Sequence, residues 1–99
     1  MADKKLNYKR YLKLDKILSS QRLLSERNKN HSHDEMLFII IHQTYELWFK
    51  QIIYELDSII NYFSSTLIDE KHISLSVSRL ERIIEIQKII VDQIRVLET

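Results

Sequence analysis

The sequence predicts an all-α fold, in which a short N-terminal helix precedes an antiparallel hairpin of two long helices. Three observations support this prediction. The chain of 99 residues contains no glycine and no proline, so it has few places for tight turns and nothing that breaks a helix. Apolar residues recur at spacings of three and four over two long stretches, as in amphipathic helices. The hydrophobic fraction of 44% and the charged fraction of 29% are ordinary for a globular domain.

The first part of the chain is predicted to hold one short helix between two polar stretches. Residues 1–7 are expected to be a flexible start. Residues 8–21 carry partial helical spacing, which is most regular over residues 14–20. Residues 22–32 are polar and predict a loop. We therefore expect a flexible start followed by a single helical region, residues 8–99.

The two long helices are predicted over residues 34–64 and 74–98, with a connection at 65–72. The first of them is expected to begin with Asp34 or a neighbour as N-cap. Glu35 then falls in the first turn, where acidic side chains interact favourably with the helix dipole. A short connection between two long helices makes them an antiparallel hairpin.

Both long helices carry apolar faces that are wider than one partner helix would cover. The stripe of the first long helix comprises Phe38, Ile41, His42, Tyr45, Trp48, Ile52 and Leu56. The stripe of the second comprises Val77, Leu80, Ile84, Val91 and Ile94, with Ile83, Ile86, Ile90 and Leu97 beside it. The apolar surface left over predicts either self-association or packing against further polypeptide.

Composition and charge exclude several classes of function. Fifteen basic and fourteen acidic residues give a net charge of +1, which carries no signature of nucleic-acid or membrane binding. The longest apolar run, residues 36–41, is far shorter than the ~20 residues that span a bilayer. The N-terminal lysines are not followed by the apolar segment of a secretory signal, so we expect a soluble, cytoplasmic protein. The lack of cysteine excludes disulfides, zinc–cysteine sites and thiol catalysis.

Two patterns suggest metal sites but have simpler explanations. Residues 31–35 contain two histidines and two acids, and we interpret them as a polar loop entering a helix, because no further ligand group stands at a zinc-like offset. A di-iron bundle requires Glu-x-x-His on its helices, and only Asp69-x-x-His72 comes near it. His72 falls in the predicted connection, where we expect an exposed loop residue.

His42 is the strongest candidate for chemistry. It lies on an otherwise apolar stripe four residues after Phe38, so the two side chains share one helix face. Taken alone, such a histidine is more often a satisfied core residue than a group that grips a planar ligand. Tyr8, Tyr11 and Leu12 form a second candidate group, although a tyrosine pair at this spacing more often serves packing.

The sequence resembles the tryptophan 2,3-dioxygenases over two motifs. Residues 33–51 read His-Asp-Glu-Met-Leu-Phe-Ile-Ile-Ile-His-Gln-Thr-Tyr-Glu-Leu-Trp-Phe-Lys-Gln and are similar to the N-terminal region of that family. Residues 8–18 resemble its Tyr-x-x-Tyr-Leu preceding Leu-Asp-x-Leu-Leu. Two departures concern the path of the chain: the basic pair at 9–10 is bulkier than in some relatives, and the proline common after the position of Gln21 is absent.

The resemblance implies the N-terminal portion of a haem enzyme that converts L-tryptophan and O2 to N-formylkynurenine in tryptophan catabolism, the kynurenine pathway. It implies haem b as cofactor in the complete enzyme and a homotetramer as the assembly. By the same resemblance, His42 lies on the distal side of the haem and hydrogen-bonds the indole N–H, and Phe38 shapes the pocket. Tyr8, Tyr11 and Leu12 reach a neighbouring subunit and complete its pocket.

The resemblance covers residues 8–99, which correspond to about the first third of the family's usual length. The family's residues for the substrate carboxylate and its proximal haem ligand fall in the absent C-terminal remainder. No metal ligand is therefore assigned in this chain, haem binding by it is not assured, and the chain alone is expected to be inactive. The alternative is a non-catalytic helical oligomerisation module, or a truncated relative, that uses the same apolar faces without haem.

Overall fold

The structure, a computed structural model, describes residues 7–27, 31–65 and 67–99. The described residues form α-helices and no strand, which confirms the all-α prediction. The flexible start predicted for residues 1–7 lies outside the described residues except for Asn7. The helices are α1 (Tyr8–Tyr11), α2 (Leu14–Leu18), α3 (Leu24–Arg27), α4 (Glu35–Phe63) and α5 (Glu70–Leu97). The chain divides into two compact units, one ending at Ile39 and the other beginning at Ile40.

The first unit begins with two short helices. Asn7 caps α1, because its side-chain oxygen accepts hydrogen bonds from the backbone N–H of Lys9 at 2.9 Å and of Arg10 at 3.3 Å. Lys13 then adopts a left-handed conformation with φ of 54°, which separates α1 from α2. The predicted short helix is therefore present, and its most regular part corresponds to α2.

The loop predicted over residues 22–32 is wrong in part, because α3 lies within it. The carboxylate of Glu35 explains this short helix. Its two oxygens accept hydrogen bonds from the backbone N–H of Leu24 and of Ser25, each at 2.9 Å. These amides belong to the first turn of α3 and have no partner inside the helix, so Glu35 satisfies them from outside.

The two long helices begin close to their predicted starts. α4 begins at Glu35, which leaves Asp34 at the N-cap position, as predicted. α5 begins at Glu70, four residues before the predicted start, because the side chain of Asp69 caps it by accepting the backbone N–H of His72 at 2.9 Å. The prediction of His72 as an exposed loop residue is therefore wrong. The residue lies in the first turn of α5 and is half-buried.

The hairpin of α4 and α5 is antiparallel, as predicted. Residues late in α4 contact residues early in α5, and the reverse holds at the other end. The contacts that define this order are Thr44 with Gln93 at 3.2 Å, Glu55 with Arg82 at 2.7 Å, and the rings of Tyr62 and His72 stacked at 4.6 Å.

The core of the hairpin is small. Its buried side chains are Ile41, Glu55 and Ile59 from α4 and Ser76, Ile83 and Ile86 from α5. On α5 the buried residues belong to the neighbouring row, whereas the stripe that was singled out in the sequence remains exposed. Among the described residues, no helix is both long enough and apolar enough to cross a membrane.

Candidate functional site

Phe38 and His42 lie four residues apart in the continuous helix α4. Phe38 belongs to the first compact unit, and 57% of its surface is exposed. His42 belongs to the second unit and is also exposed. The structure therefore places the two candidate pocket residues on one helix, and both side chains are exposed.

His42 begins a row of rings along α4. Its imidazole and the ring of Tyr45 form a T-shaped pair, with ring centroids 6.3 Å apart and planes at 77°. Tyr45 stacks in turn on Phe49, with centroids 6.2 Å apart and planes at 20°. We call these three residues the aromatic row. Steps of three and four keep its members on one helix face, which gives a planar ligand an apolar surface beside an imidazole.

The hydroxyl group of Tyr45 is an unusual part of the aromatic row. It is buried and has no hydrogen-bond partner among the described residues. A buried hydroxyl without a partner costs free energy. The sequence assigned Tyr45 only to the apolar stripe, and no signal in the spacing distinguishes its hydroxyl from an ordinary core tyrosine.

Tyr8, Tyr11 and Leu12 lie together at α1, on a different helix from Phe38 and His42. The two tyrosines are three residues apart on a single turn and are 74% and 65% exposed. Leu12 follows as the C-cap residue and is half-buried. Exposed tyrosines with an apolar ring and a polar tip are typical of surfaces that contact another polypeptide.

Glu55 is a buried charged residue that the sequence analysis missed. Only 5% of its side chain is exposed, and its Oε2 accepts hydrogen bonds from Arg82 Nη1 at 2.7 Å and from Gln51 Nε2 at 2.9 Å. The guanidinium of Arg82 holds the pKa of Glu55 below its usual value. A signal was available, because Glu55 stands at an apolar position of α4, three residues after Ile52 and four before Ile59.

A half-open hollow of about 440 Å³ lies beside this ion pair. Its charged residues are two arginines and two acids, so it presents no net charge to a ligand. The guanidinium of Arg79 also lies 5.1 Å from the centroid of the Tyr62 ring. The residues that line the hollow are Gln51, Tyr54, Glu55, Asp57, Ser58, Asn61, Arg79 and Arg82. We interpret this region as part of the packing between α4 and α5.

The described residues contain no group of three or more His, Cys, Asp or Glu side chains that could hold a metal ion. In the histidine-rich segment, His31 Nδ1 lies 3.8 Å from Glu26, and the Glu35 carboxylate is engaged by α3. For haem b, the aromatic row supplies an apolar surface for a planar ring, and His42 supplies an imidazole. These residues fit one wall of a haem pocket and do not include an assigned ligand to the iron.

Comparison with known proteins identifies the lineage of the chain. The family model for tryptophan 2,3-dioxygenase matches residues 1–99. The tryptophan 2,3-dioxygenase of Anopheles gambiae is 55% identical over 92 residues, which cover 93% of this chain. That of Dictyostelium discoideum is 53% identical over 98 residues, or 99% of the chain, and that of Alteromonas mediterranea is 50% identical over 92 residues, or 93%.

The fold and the matches together define the class of the chain as an all-α haem dioxygenase, an oxidoreductase. The chain belongs to the tryptophan 2,3-dioxygenase family, which confirms the resemblance of its two motifs. The chain spans about a quarter of the length of these curated relatives, 24% for two of them and 25% for the third, which is less than the expected third.

Proposed function

We propose that the chain is the N-terminal portion of a haem-dependent tryptophan 2,3-dioxygenase. The reaction inserts both atoms of O2 across the indole C2–C3 bond of L-tryptophan and gives N-formylkynurenine. The observation that carries this proposal is the family match over the whole chain. Haem b supplies the oxygen chemistry when it is bound, and the polypeptide binds the substrate, orients it and excludes water.

In this proposal His42 orients the indole ring. A neutral imidazole accepts a hydrogen bond at one nitrogen while the other carries the proton, so His42 can accept the indole N–H. Its exposed position at the start of the aromatic row supports this role, because an indole lying there has an apolar surface beside the acceptor. Phe38, one helical turn earlier, packs against the substrate or the edge of the haem.

Tyr8, Tyr11 and Leu12 contribute to the pocket of a neighbouring subunit in a homotetramer. The large exposed fraction of both tyrosines supports this role, since it leaves two aromatic rings and two hydroxyl groups available to another chain. The remaining three quarters of the polypeptide length, by comparison with the relatives, supplies the groups that hold the substrate carboxylate and the iron. The 99 residues alone are therefore inactive. The complete enzyme is cytoplasmic in this proposal.

A complementation experiment tests this function. The chain is co-expressed with the part of the Dictyostelium discoideum relative that follows the matched segment, and haemin is then titrated with and without L-tryptophan. We expect saturable haem binding and N-formylkynurenine formation only when both parts are present. Absence of product and of haem binding in a complex that has assembled would overturn the proposal and favour the non-catalytic helical module.

The same complex tests the role of His42. His42→Ala should weaken the response of the haem absorbance to tryptophan about tenfold, because one hydrogen bond to the indole is lost. His31→Ala, which removes an exposed histidine outside the long helices, is the matched control and should leave the response unchanged. Equal tryptophan responses in the two variants would exclude His42 as the group that binds the indole.

A further inference from the structure

Tyr45 connects the exposed imidazole of His42 to the interior of the hairpin. The two residues are three positions apart on α4, and their rings form a T-shaped pair with centroids 6.3 Å apart. This distance and the angle of 77° between the planes are those at which aromatic rings attract each other edge to face. Tyr45 is half-buried and His42 is exposed, so the contact joins a packed side chain to one at the surface.

The ring of Tyr45 is restrained at two places. Its hydroxyl oxygen is buried, so the far end of the ring lies among packed atoms. Its ring also stacks on Phe49, with centroids 6.2 Å apart and planes at 20°. A ring that is enclosed at its tip and stacked on a neighbour has few other conformations. It therefore offers the imidazole of His42 a surface in a constant position.

An exposed imidazole benefits from such a surface when it binds a ligand in one orientation. Rotation about the side-chain torsions of His42 moves both ring nitrogens, and fixing them on binding costs conformational entropy. A contact that restricts these torsions beforehand removes part of that cost. We propose that Tyr45 is a positioning residue, whose ring holds the imidazole of His42 in the orientation that accepts the indole N–H. This role rests on the proposed function, because it acts through His42.

Tyr45 is better suited to this role than Phe38, the other aromatic residue one helical turn from His42. Phe38 is 57% exposed, so packing restrains its ring little. The hydroxyl end of Tyr45 is buried, so packing restrains the ring that contacts the imidazole. The positioning of His42 is therefore assigned to Tyr45, and Phe38 keeps its proposed contact with the substrate or the haem edge.

Nuclear magnetic resonance of the 99-residue chain tests the contact without haem or tryptophan. The imidazole C–H signals of His42 are identified by their loss in His42→Ala. In Tyr45→Leu these signals should shift toward those of an unstructured histidine, because the ring current of the tyrosine is removed. Tyr54→Leu makes the same change at an exposed residue of α4 and should leave them in place. Unshifted His42 signals in Tyr45→Leu would overturn the proposal.

Tyr45→Phe separates the ring of Tyr45 from its hydroxyl group. The variant keeps the ring, so the His42 signals should stay close to their original positions. It should fold at least as stably as the original chain, because the hydroxyl that it removes is buried without a partner among the described residues. This comparison does not depend on the folding of Tyr45→Leu. Signals that shift in Tyr45→Phe as far as in Tyr45→Leu would assign the effect to the hydroxyl and overturn the proposal.

A double-mutant cycle in the complex used for complementation tests the link to the substrate. Tyr45→Leu should raise the tryptophan concentration that half-saturates the haem absorbance change about fivefold, because one aromatic contact is lost. In the His42→Ala background the same substitution should cause no further change, since a positioning residue acts only through the residue that it positions. Equal effects of Tyr45→Leu in both backgrounds would show that Tyr45 does not act through His42.

The outcomes distinguish the role of Tyr45 from the proposed function. A complex that forms N-formylkynurenine and responds normally to tryptophan with Tyr45→Leu would overturn the role of Tyr45 and leave the proposed function intact. An assembled complex that binds no haem and forms no product would overturn the proposed function. The resonance measurement on the chain alone would then still show whether Tyr45 orients the imidazole of His42.

Discussion

The hairpin and the N-terminal segment are built from helices of very different length. α4 and α5 have 29 and 28 residues, whereas α1, α2 and α3 have four or five. The long helices bury side chains against each other, and none of the short helices has a buried residue. Each region also has one glutamate with several hydrogen bonds. Glu55 accepts them from Gln51 within α4 and from Arg82 across the hairpin, and Glu35 accepts them from the backbone of α3.

The difference shows how helix length determines what stabilises a helix. A helix of one turn makes too few internal hydrogen bonds to offset the cost of nucleation, so it depends on groups that satisfy its free ends. Asn7 does this for α1 and Glu35 for α3. A helix of seven or more turns has satisfied its backbone and gains its stability from an apolar face. The two regions should therefore respond to different substitutions.

The largest effect is expected from a core substitution in the hairpin. Ile83→Ala should lower the free energy of unfolding by about 3 kcal/mol, because it removes buried apolar surface and leaves a cavity. Ile84→Ala is the matched control one residue away, and it should cost less than about 1 kcal/mol because its side chain is half exposed. Urea unfolding of both variants at a concentration where the chain is monomeric measures the difference.

Equal losses for the two isoleucines would contradict the assignment of Ile83 to the core and of Ile84 to the exposed stripe of α5. A larger loss for Ile84→Ala would mean that the two rows of α5 have exchanged roles. The comparison therefore tests the orientation of α5 about its own axis as well as the energy of its core.

The next effect concerns the ion pair between the helices. Arg82→Ala should cost about 2 kcal/mol, because it leaves the Glu55 carboxylate buried without its cationic partner. Glu55→Gln should cost about 1 kcal/mol, since the arginine left behind is 60% exposed and remains hydrated. Urea unfolding measures both losses, and a smaller loss for Arg82→Ala than for Glu55→Gln would contradict the burial of Glu55.

The pH dependence of stability should show the same ion pair. The hydrogen bond from Arg82 lowers the pKa of Glu55 below its usual value of 4.5, so the folded state holds the proton less tightly than the unfolded state. The stabilisation is present above the unfolded pKa and is lost as pH falls through the lower folded pKa. Thermal unfolding between pH 7 and pH 3 should therefore show a steeper loss below about pH 4.5 in the original chain than in Glu55→Gln.

Glu35 and Asp69 also contribute to the loss of stability in acid, because hydrogen bonds lower the pKa of each of these groups. The main cause of the lowered pKa is the hydrogen bond from the Ser25 side chain for Glu35 and the hydrogen bond from the backbone N–H of His72 for Asp69. Both groups are unchanged in Glu55→Gln, so the difference between the two curves isolates Glu55. Parallel curves would show that the ion pair makes no net contribution.

The sequence predicted the long helices and their pairing because each contains many turns of regular apolar spacing. It did not predict which row of α5 is buried, since the rows through Ile83 and Ile84 are similarly apolar. The choice depends on contacts with α4, among them the bond between Glu55 and Arg82. Local spacing could not predict α3 either, because the carboxylate that satisfies the N–H of Leu24 comes from a residue eleven positions later.

The candidate site likewise has features that the sequence predicts and features that it does not. The positions of Phe38 and His42 on a long helix followed from helical spacing, and the family match supports their proposed roles. The contact of His42 with Tyr45, and the buried hydroxyl of Tyr45, depend on side-chain conformations that spacing does not determine. The roles proposed for Tyr8, Tyr11 and Leu12 involve another subunit, so the structure of a single chain specifies only where these residues lie.

The smallest expected effect is a change of hydrogen exchange in the N-terminal segment, without a corresponding change in the hairpin. Glu35→Gln removes the charge of the carboxylate that accepts hydrogen bonds from the backbone N–H groups of Leu24 and Ser25. Hydrogen exchange at these two amides should become severalfold faster, because hydrogen bonds to a carboxylate are stronger than those to an amide oxygen. Exchange in the middle of α5 should not change, since the hydrogen bonds of Glu35 go to the backbone of α3.

Glu26→Gln is the matched control for that measurement, because it neutralises an exposed carboxylate within α3 itself. Exchange at Leu24 and Ser25 should stay close to that of the original chain, since neither amide bonds to Glu26. Equal acceleration in both variants would assign the effect to the overall charge near α3. Faster exchange in the hairpin of the Glu35→Gln variant would show that the two regions are energetically coupled, which contradicts a purely local role for Glu35.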